Sequence, residues 1–103
     1  MADEFVLDQQ AGPQGEVVIV CRGDIDISNV SRFRAALLDA PASSPVVVDL
    51  NAVDYIDSAG VAALFERAKK GTLQVVAGPD CPVRRVLEVV ALDQLATIVP
   101  TRS

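Results

Sequence analysis

Histidine is absent from this chain of 103 residues. Without an imidazole, neither a Ser–His nor a Cys–His nucleophile pair can form, and no side chain has an unperturbed pKa suited to general-base catalysis near neutral pH. A carboxylate-dependent enzyme or nucleotide hydrolase is the alternative left open, but it needs a glycine-rich phosphate loop or a cluster of metal ligands, and the sequence has neither pattern. We therefore expect a protein that is not an enzyme, with no catalytic residues and no cofactor.

Cysteine is scarce, since only Cys21 and Cys81 occur, far apart in the sequence. Two sulfur ligands without any histidine are too few for a zinc-type site, so no bound metal is expected. In a cytoplasmic protein, two reduced thiols are the ordinary state. A redox-sensing pair is the alternative, and the spacing alone does not decide between them.

Basic runs and long apolar stretches are missing as well. The net charge of −5, without a cluster of lysine or arginine, argues against nucleic acid or an anionic membrane surface as a partner. Charged residues or prolines interrupt every apolar stretch, so we expect no membrane insertion. The acidic start from Met1 to Glu4 is unlike a signal peptide, which begins with basic residues. The predicted location is the cytoplasm.

The chain does contain an ample supply of core-forming residues. Half of its residues are hydrophobic and its length suits one core, so we expect a single domain over residues 1–103. Apolar runs, several of them β-branched, predict four strands and a possible fifth, and a turn at residues 23–26 is expected to end the second. The strands are expected at residues 4–9, 17–21, 46–50, 73–77 and 95–99.

Three amphipathic helices are predicted between these strands. The first begins at Ser28, with Ser28 or Asp26 as its cap. The second has an apolar stripe and ends in two lysines and a glycine, which suit a helix C-terminus. Pro82 opens the third. The predicted stripes are Val61, Leu64, Phe65 and Ala68 in the second helix and Val83, Val86, Leu87 and Val90 in the third, where Arg84 and Arg85 form the solvated face.

The order of these elements indicates an α/β fold. Strands that alternate with amphipathic helices predict right-handed crossovers and parallel strand pairs. The order β-β-α-β-α-β-α, with a possible final strand, therefore predicts a single small domain with a mixed, mostly parallel sheet. Helices of this number and length cover the sheet only in part.

The most informative segment is residues 54–61, Asp-Tyr-Ile-Asp-Ser-Ala-Gly-Val, where the second helix begins. Backbone N–H groups at a helix start are unpaired and carry partial positive charge, so Asp57 or Ser58 is stabilising there. Ser58 is therefore either a plain helix-start residue or a hydroxyl that is phosphorylated on a docking surface. The helix itself would tolerate the added charge of about −1.5 to −2.

Four segments, taken in order, resemble the STAS domain, the fold of bacterial anti-sigma factor antagonists. They are residues 23–26, 46–50, 57–61 and 82–95, and the similarity extends over nearly the whole chain. The resemblance implies partner switching: the unphosphorylated antagonist binds an anti-sigma factor that is also a serine kinase, and a sigma factor is released. Phosphorylation of the antagonist's serine switches it off, and a serine phosphatase restores it.

By its position in the motif, Ser58 corresponds to the phosphorylated serine. The resemblance also implies that Asp26 lies near this serine and faces the kinase. The predicted partner-binding residues are Asp24, Asp26, Ile56, Asp57, Ser58, Ala59 and Gly60. Alternatives stay open for several of them. The aspartates before the first helix also suit a turn or a cap. Ile56 also suits the core, and Gly60 also suits a plain helix start. Ala59 departs from the family, in which a second hydroxyl is frequent at this position.

A second role is compatible with the same resemblance. Lone STAS proteins also serve as cytoplasmic regulatory subunits of lipid-transport ABC ATPases, which they bind without a phosphate switch. The acid–serine pair Asp57–Ser58, together with Asp26, favours the antagonist over this alternative.

Overall fold

The five strands lie in the sheet in the order in which they occur in the chain, in a computed structural model that describes residues 5–102. The strands are β1 (Val6–Ala11), β2 (Val17–Ile25), β3 (Val46–Ile56), β4 (Leu73–Val76) and β5 (Thr97–Val99). The helices are α1 (Val30–Asp39), α2 (Ser58–Lys70) and α3 (Pro82–Val89), and a 3₁₀ turn, Leu92–Gln94, precedes β5.

The sheet is mixed and mostly parallel, which confirms the predicted α/β fold. Strand β1 pairs with β2 antiparallel, and all later pairs are parallel. Right-handed crossovers in a consecutive strand order place the helices on one face of the sheet. Burial along β3 alternates accordingly: Val46, Val48 and Leu50 are fully buried, whereas Val47 and Asp49 are half-buried.

Strands β2 and β3 are longer than predicted. Residues 23–26 do not end β2, which continues to Ile25 through a register shift after Gly23. Gly23 has φ +99°, a conformation that favours glycine, so an apparent turn signal is a bulge within the strand. Strand β3 continues to Ile56 rather than Leu50, because the longer β2 supplies it with a partner.

The helices also differ in detail from the prediction. Helix α1 begins at Val30, two residues later than expected, and neither Ser28 nor Asp26 caps it. Helix α2 ends at Lys70 as predicted, but of its fully buried residues only Leu64 belongs to the predicted stripe. The buried stripe consists of Gly60, Ala63, Leu64 and Arg67, whereas Val61, Phe65 and Ala68 are only half-buried. Small residues at 60 and 63 let α2 approach the sheet along this line.

Helix α3 buries only part of its predicted stripe. Val83 and Leu87 are buried, but Val86 and Val90 are more than a third exposed. Arg84 is not fully solvated, since its Nη1 donates to the Ala77 carbonyl at 2.6 Å. None of the helices within residues 5–102 is long and apolar enough to cross a membrane.

The two terminal strands are shifted from their predicted positions. Strand β1 covers Val6–Ala11 rather than residues 4–9, and β5 covers Thr97–Val99 rather than 95–99. The acidic start, Met1 to Glu4, lies outside the described residues. After β5 the chain passes back towards β3, where Arg102 forms an ion pair with Asp49 at 3.2 Å.

Candidate functional site

Strands β2 and β3 end side by side, and this brings the two predicted site segments together. Ile25 is in register with Ile56, and the Asp57 amide donates to the Ile25 carbonyl at 3.0 Å. Residues 24–29 and 54–60 therefore form one continuous edge of the molecule. We call these two segments the acidic edge, because together they contain four aspartates and no lysine or arginine.

Asp57 holds the start of α2. Its side chain accepts a hydrogen bond from the Gly60 amide at 2.9 Å, and its carbonyl accepts one from the Val61 amide at 3.0 Å. This is the geometry of an N-cap aspartate, which satisfies an amide that the helix leaves unpaired. Ser58 is then the first residue of α2, and its side chain is exposed. The cap is thus provided by Asp57, and the Ser58 hydroxyl is not needed for it.

Gly60 fixes how closely α2 approaches the two strand ends. A Cβ atom at this position would lie 2.6 Å from Ile56 Cγ1 and 2.9 Å from Ile25 Cγ2. Ile56 is only 5% exposed and belongs to the core. The prediction that Ile56 contacts a partner is therefore wrong for its side chain, and the alternative of a core residue is correct. Gly60 is buried too, whereas Ala59 is exposed.

A hydrogen-bonded turn joins β2 to α1 on the other side of the acidic edge. The Asp26 carboxylate accepts hydrogen bonds from the Ser28 amide at 3.0 Å and from the Ser28 hydroxyl. Asn29 is buried, and its Nδ2 donates to the Asp24 carbonyl at 2.8 Å while its Oδ1 accepts from the Asp26 amide at 3.0 Å. Asp26 therefore serves the turn, as one of its two interpretations predicted, and Asp24 is exposed.

Two apolar side chains project from this edge. Ile27, at the centre of the turn, is 89% exposed, and Tyr55, in register with Asp24, is 52% exposed. Tyr55 lies in strand β3, one residue before its end. Sequence reasoning missed Ile27 as a candidate. The available signal was one β-branched residue between polar neighbours, Asp26 and Ser28, in a segment too short to supply a buried face.

The opposite end of α2 is anchored by a buried arginine. Arg67 is fully buried, and its guanidinium donates to the carbonyls of Ala40 at 3.0 Å, Pro41 at 3.3 Å and Ser44 at 2.6 Å. Within residues 5–102, its Nε has no hydrogen-bond partner. Desolvation lowers the pKa of the Arg67 guanidinium. This side chain ties α2 to the loop between α1 and β3.

Cys21 and Cys81 are both buried, free thiols. Burial, with the nearby charge of Asp49, raises the pKa of Cys21 to about 12. A thiol with such a pKa is almost entirely protonated near neutral pH and is a poor nucleophile. Among residues 5–102, no group of three or more acidic, cysteine or histidine residues could hold a metal ion.

The fold resembles known proteins along most of its length. A family model described as "Mlab, STAS domain" matches residues 9–100. The crystal structure of an anti-sigma factor antagonist from Mycobacterium paratuberculosis has 25% sequence identity and a TM-score of 0.84, covering 98% of this chain and 92% of that one.

The anti-sigma factor antagonist SpoIIAA is similar in two forms. Its unphosphorylated form has 19% identity and a TM-score of 0.71, covering 91% of this chain and 88% of that one. The phosphorylated form, from Bacillus, has 19% identity and a TM-score of 0.67, with 91% of each chain covered. At this identity the likeness to SpoIIAA is one of fold.

Proposed function

Since the chain belongs to the STAS domain family, we propose that it is an anti-sigma factor antagonist switched off by phosphorylation of Ser58. In its unphosphorylated form it binds a kinase-type anti-sigma factor in the cytoplasm, and this binding releases a sigma factor. The observation that carries the proposal is the exposed Ser58 at the start of α2, next to a separate capping residue, Asp57. Antagonists of this family are regulatory proteins and not enzymes.

The acidic edge suits an acceptor of phosphate rather than a catalyst. The chain has no histidine that could take the Ser58 proton, so activation of the hydroxyl has to come from the partner kinase. The hydroxyl is exposed, and because Asp57 already caps the helix, transfer of a phosphoryl group to Oγ costs the fold no cap. Positive charge at the helix start further favours the phosphate.

The same modification is expected to weaken the complex. To be phosphorylated, Ser58 has to face the terminal phosphate of the kinase's ATP, so phosphoserine would lie against the phosphates of the product nucleotide. The added charge of about −1.5 to −2 would also lie beside the Asp57 carboxylate. A 100-fold loss of affinity corresponds to about 2.8 kcal/mol. Repulsion between like charges, with imperfect pairing at an interface, is large enough for this.

The comparisons support the proposal at the level of the fold. SpoIIAA is known in an unphosphorylated and a phosphorylated form, and both resemble this chain over about nine-tenths of its length. A fold of this kind therefore accepts a phosphate without losing its architecture. The proposed partners are an anti-sigma factor with serine-kinase activity and a serine phosphatase that resets the switch.

The proposal is tested by phosphorylation in vitro. The purified protein is incubated with candidate kinase-type anti-sigma factors and ATP, and the phosphate is mapped by mass spectrometry. Ser58→Ala should bind the kinase but carry no phosphate, whereas Ser31→Ala, an exposed serine of α1, should be phosphorylated like the wild type. The proposal fails if no anti-sigma factor modifies Ser58 and Ser58→Asp binds as tightly as the wild type.

A second candidate function is a regulatory subunit of a lipid-transport ABC system. It is retained because the matching family model bears the name Mlab and not that of an antagonist. In this case the protein should form a complex with an ABC ATPase. Ser58→Ala and wild type should then bind that ATPase equally, and no kinase should be needed to dissociate the complex.

A further inference from the structure

We propose that Ile27 is the apolar anchor of the acidic edge, and that the partner protein presents an apolar pocket for it bordered by lysine or arginine side chains. The inference rests on the proposed function in one respect, that the partner docks where Ser58 is exposed. Beyond that function, it specifies the chemistry of the partner's binding surface. It also assigns a specificity-determining role to a residue outside the serine motif.

The exposure of Ile27 is the first argument. At 89%, Ile27 is the most exposed of the large hydrophobic side chains in the described part of the chain, ahead of Val89 at 72%. A polar residue at the tip of this turn would keep its hydrogen bonds, because the turn is built by the neighbouring residues. An isoleucine there gains nothing for the fold, and its apolar surface is available for burial by a partner.

The rigidity of the turn is the second argument. Asn29 is buried and bridges the Asp24 carbonyl and the Asp26 amide, and Asp26 in turn holds Ser28. Each of these hydrogen bonds joins a residue before Ile27 to a residue after it. The loop that displays Ile27 is therefore fixed before any partner binds. A pre-organised anchor loses little conformational entropy on binding, which is what binding hot spots require.

The charge of the surroundings identifies the chemistry of the partner. The acidic edge has four aspartates and no lysine or arginine, so its own net charge is −4. The net charge of the whole chain is −5. Asp24 and Asp54 are exposed on the strand ends beside Tyr55, and the hydrogen bonds of the turn use the Asp24 carbonyl and not its carboxylate. A complementary surface therefore carries lysine or arginine opposite these two carboxylates, around a pocket for Ile27.

Helix α3 offers a competing apolar surface and a matched control. Val86, Val89 and Val90 are exposed at its C-terminal half and C-cap, whereas the helix contacts β3 through buried residues at its start, such as the Cys81 thiol, which donates to the Leu50 carbonyl. A partner that docked through apolar area alone would use this face as readily as Ile27. Val89→Ser therefore removes a comparable exposed side chain from a surface that the inference leaves unused.

The main test compares Ile27→Ser, Ile27→Val and Val89→Ser in binding to the kinase-type anti-sigma factor. We expect Ile27→Ser to raise the Kd by about 10- to 100-fold and Ile27→Val, which lacks one methylene group, by about fourfold. Val89→Ser should leave Kd unchanged. Melting temperatures of all three should match the wild type, because both positions are exposed. Equal Kd values for Ile27→Ser and wild type would overturn the inference.

The charged rim is tested by association kinetics at two salt concentrations. Asp54→Asn should slow association about two- to fivefold at low salt and have little effect at high salt, because exposed charges act mainly by steering. Asp39→Asn, an exposed aspartate at the end of α1, should have no effect at either concentration. Equal effects of the two variants would contradict the proposal that lysine or arginine side chains of the partner border the pocket for Ile27.

A photo-crosslinking experiment separates this inference from the proposed function. A benzophenone amino acid replaces Ile27 or Val89 in the source organism, and crosslinked peptides are sequenced by mass spectrometry. The inference requires a crosslink from position 27 but not 89, to an apolar segment flanked by lysine or arginine. If that segment belongs to a protein other than an anti-sigma factor, the proposed function fails and the inference stands. No crosslink from position 27 overturns the inference.

Discussion

The two ends of helix α2 are built in opposite ways. At its N-terminal end, one side chain, Asp57, makes one cap hydrogen bond, and the next residue, Ser58, is exposed. At its C-terminal end, the fully buried Arg67 holds three carbonyls of the loop that precedes β3. The two ends therefore have different roles: the buried end fixes the position of the helix, and the other end presents the exposed hydroxyl for which we propose phosphorylation.

The energetics of the two ends differ for the same reason. Arg67 is a buried cation that is paired with carbonyl oxygens only, so desolvation is costly and each of its hydrogen bonds is needed. The Asp57 cap lies at the surface, where water can replace it in part. Substitution of Arg67 should therefore change stability most, whereas substitution of the exposed Ser58 should change binding and phosphorylation rather than stability.

Arg67→Ala should have the largest effect on stability. It leaves the carbonyls of Ala40, Pro41 and Ser44 without their donor and opens a cavity, so we expect a loss of about 3–5 kcal/mol in the free energy of unfolding. Urea denaturation measures this change. Arg34→Ala is the control, since Arg34 forms an exposed pair with Glu66 at 2.7 Å. If both variants unfolded at the same urea concentration, the anchoring role of Arg67 would be refuted.

Gly60→Ala should have the next largest effect on stability, and it should also weaken binding to the partner. The new Cβ would be forced against Ile56 and Ile25, and overpacking of this kind costs about 1–3 kcal/mol. Because the strain lies between the strand ends, binding to the partner should weaken as well. Gly78→Ala is the matched control, since its Cβ would meet its nearest neighbour at 3.4 Å. A Gly60→Ala protein as stable as Gly78→Ala would contradict this packing account.

Asp57→Ala should have the smallest effect on stability of the three. Loss of the cap hydrogen bond to Gly60 costs about 1 kcal/mol. Asp57→Asn keeps an accepting oxygen and should recover most of that loss. Thermal unfolding of the wild type and the two variants separates the contribution of the cap hydrogen bond to stability from that of the carboxylate charge. If Asp57→Asn were as unstable as Asp57→Ala, the carboxylate charge and not the cap bond would stabilise this helix start.

The element order and the start of α2 could be predicted from the sequence, because both are encoded locally. Alternating apolar runs and helical stripes gave the β-β-α-β-α-β-α order, and the structure confirms it. Acidic and small residues at positions 57–60 indicated a helix start, which also proved correct. The role of Ser58 as an acceptor depends on a partner and stays a prediction.

The features that were missed depend on tertiary pairing. In the sequence, Gly23 indicates a turn. Only the pairing of β3 with β2 beyond this residue shows that it lies within a strand. Asn29 looks like an ordinary residue near a helix start, yet it is buried and holds the turn that exposes Ile27. Arg67 was overlooked because a buried arginine is rare. Its carbonyl partners lie more than twenty residues away, and no local pattern reveals them.

The central claim is that phosphate on Ser58 dissociates the partner while the fold stays intact. The most direct test is the Kd of the anti-sigma factor for protein phosphorylated fully at Ser58, compared with the same preparation after phosphatase treatment. We predict an affinity about 100-fold lower for the phosphorylated form, equivalent to about 2.8 kcal/mol, with no loss of thermal stability. Equal affinities of the two forms for the partner would contradict the account.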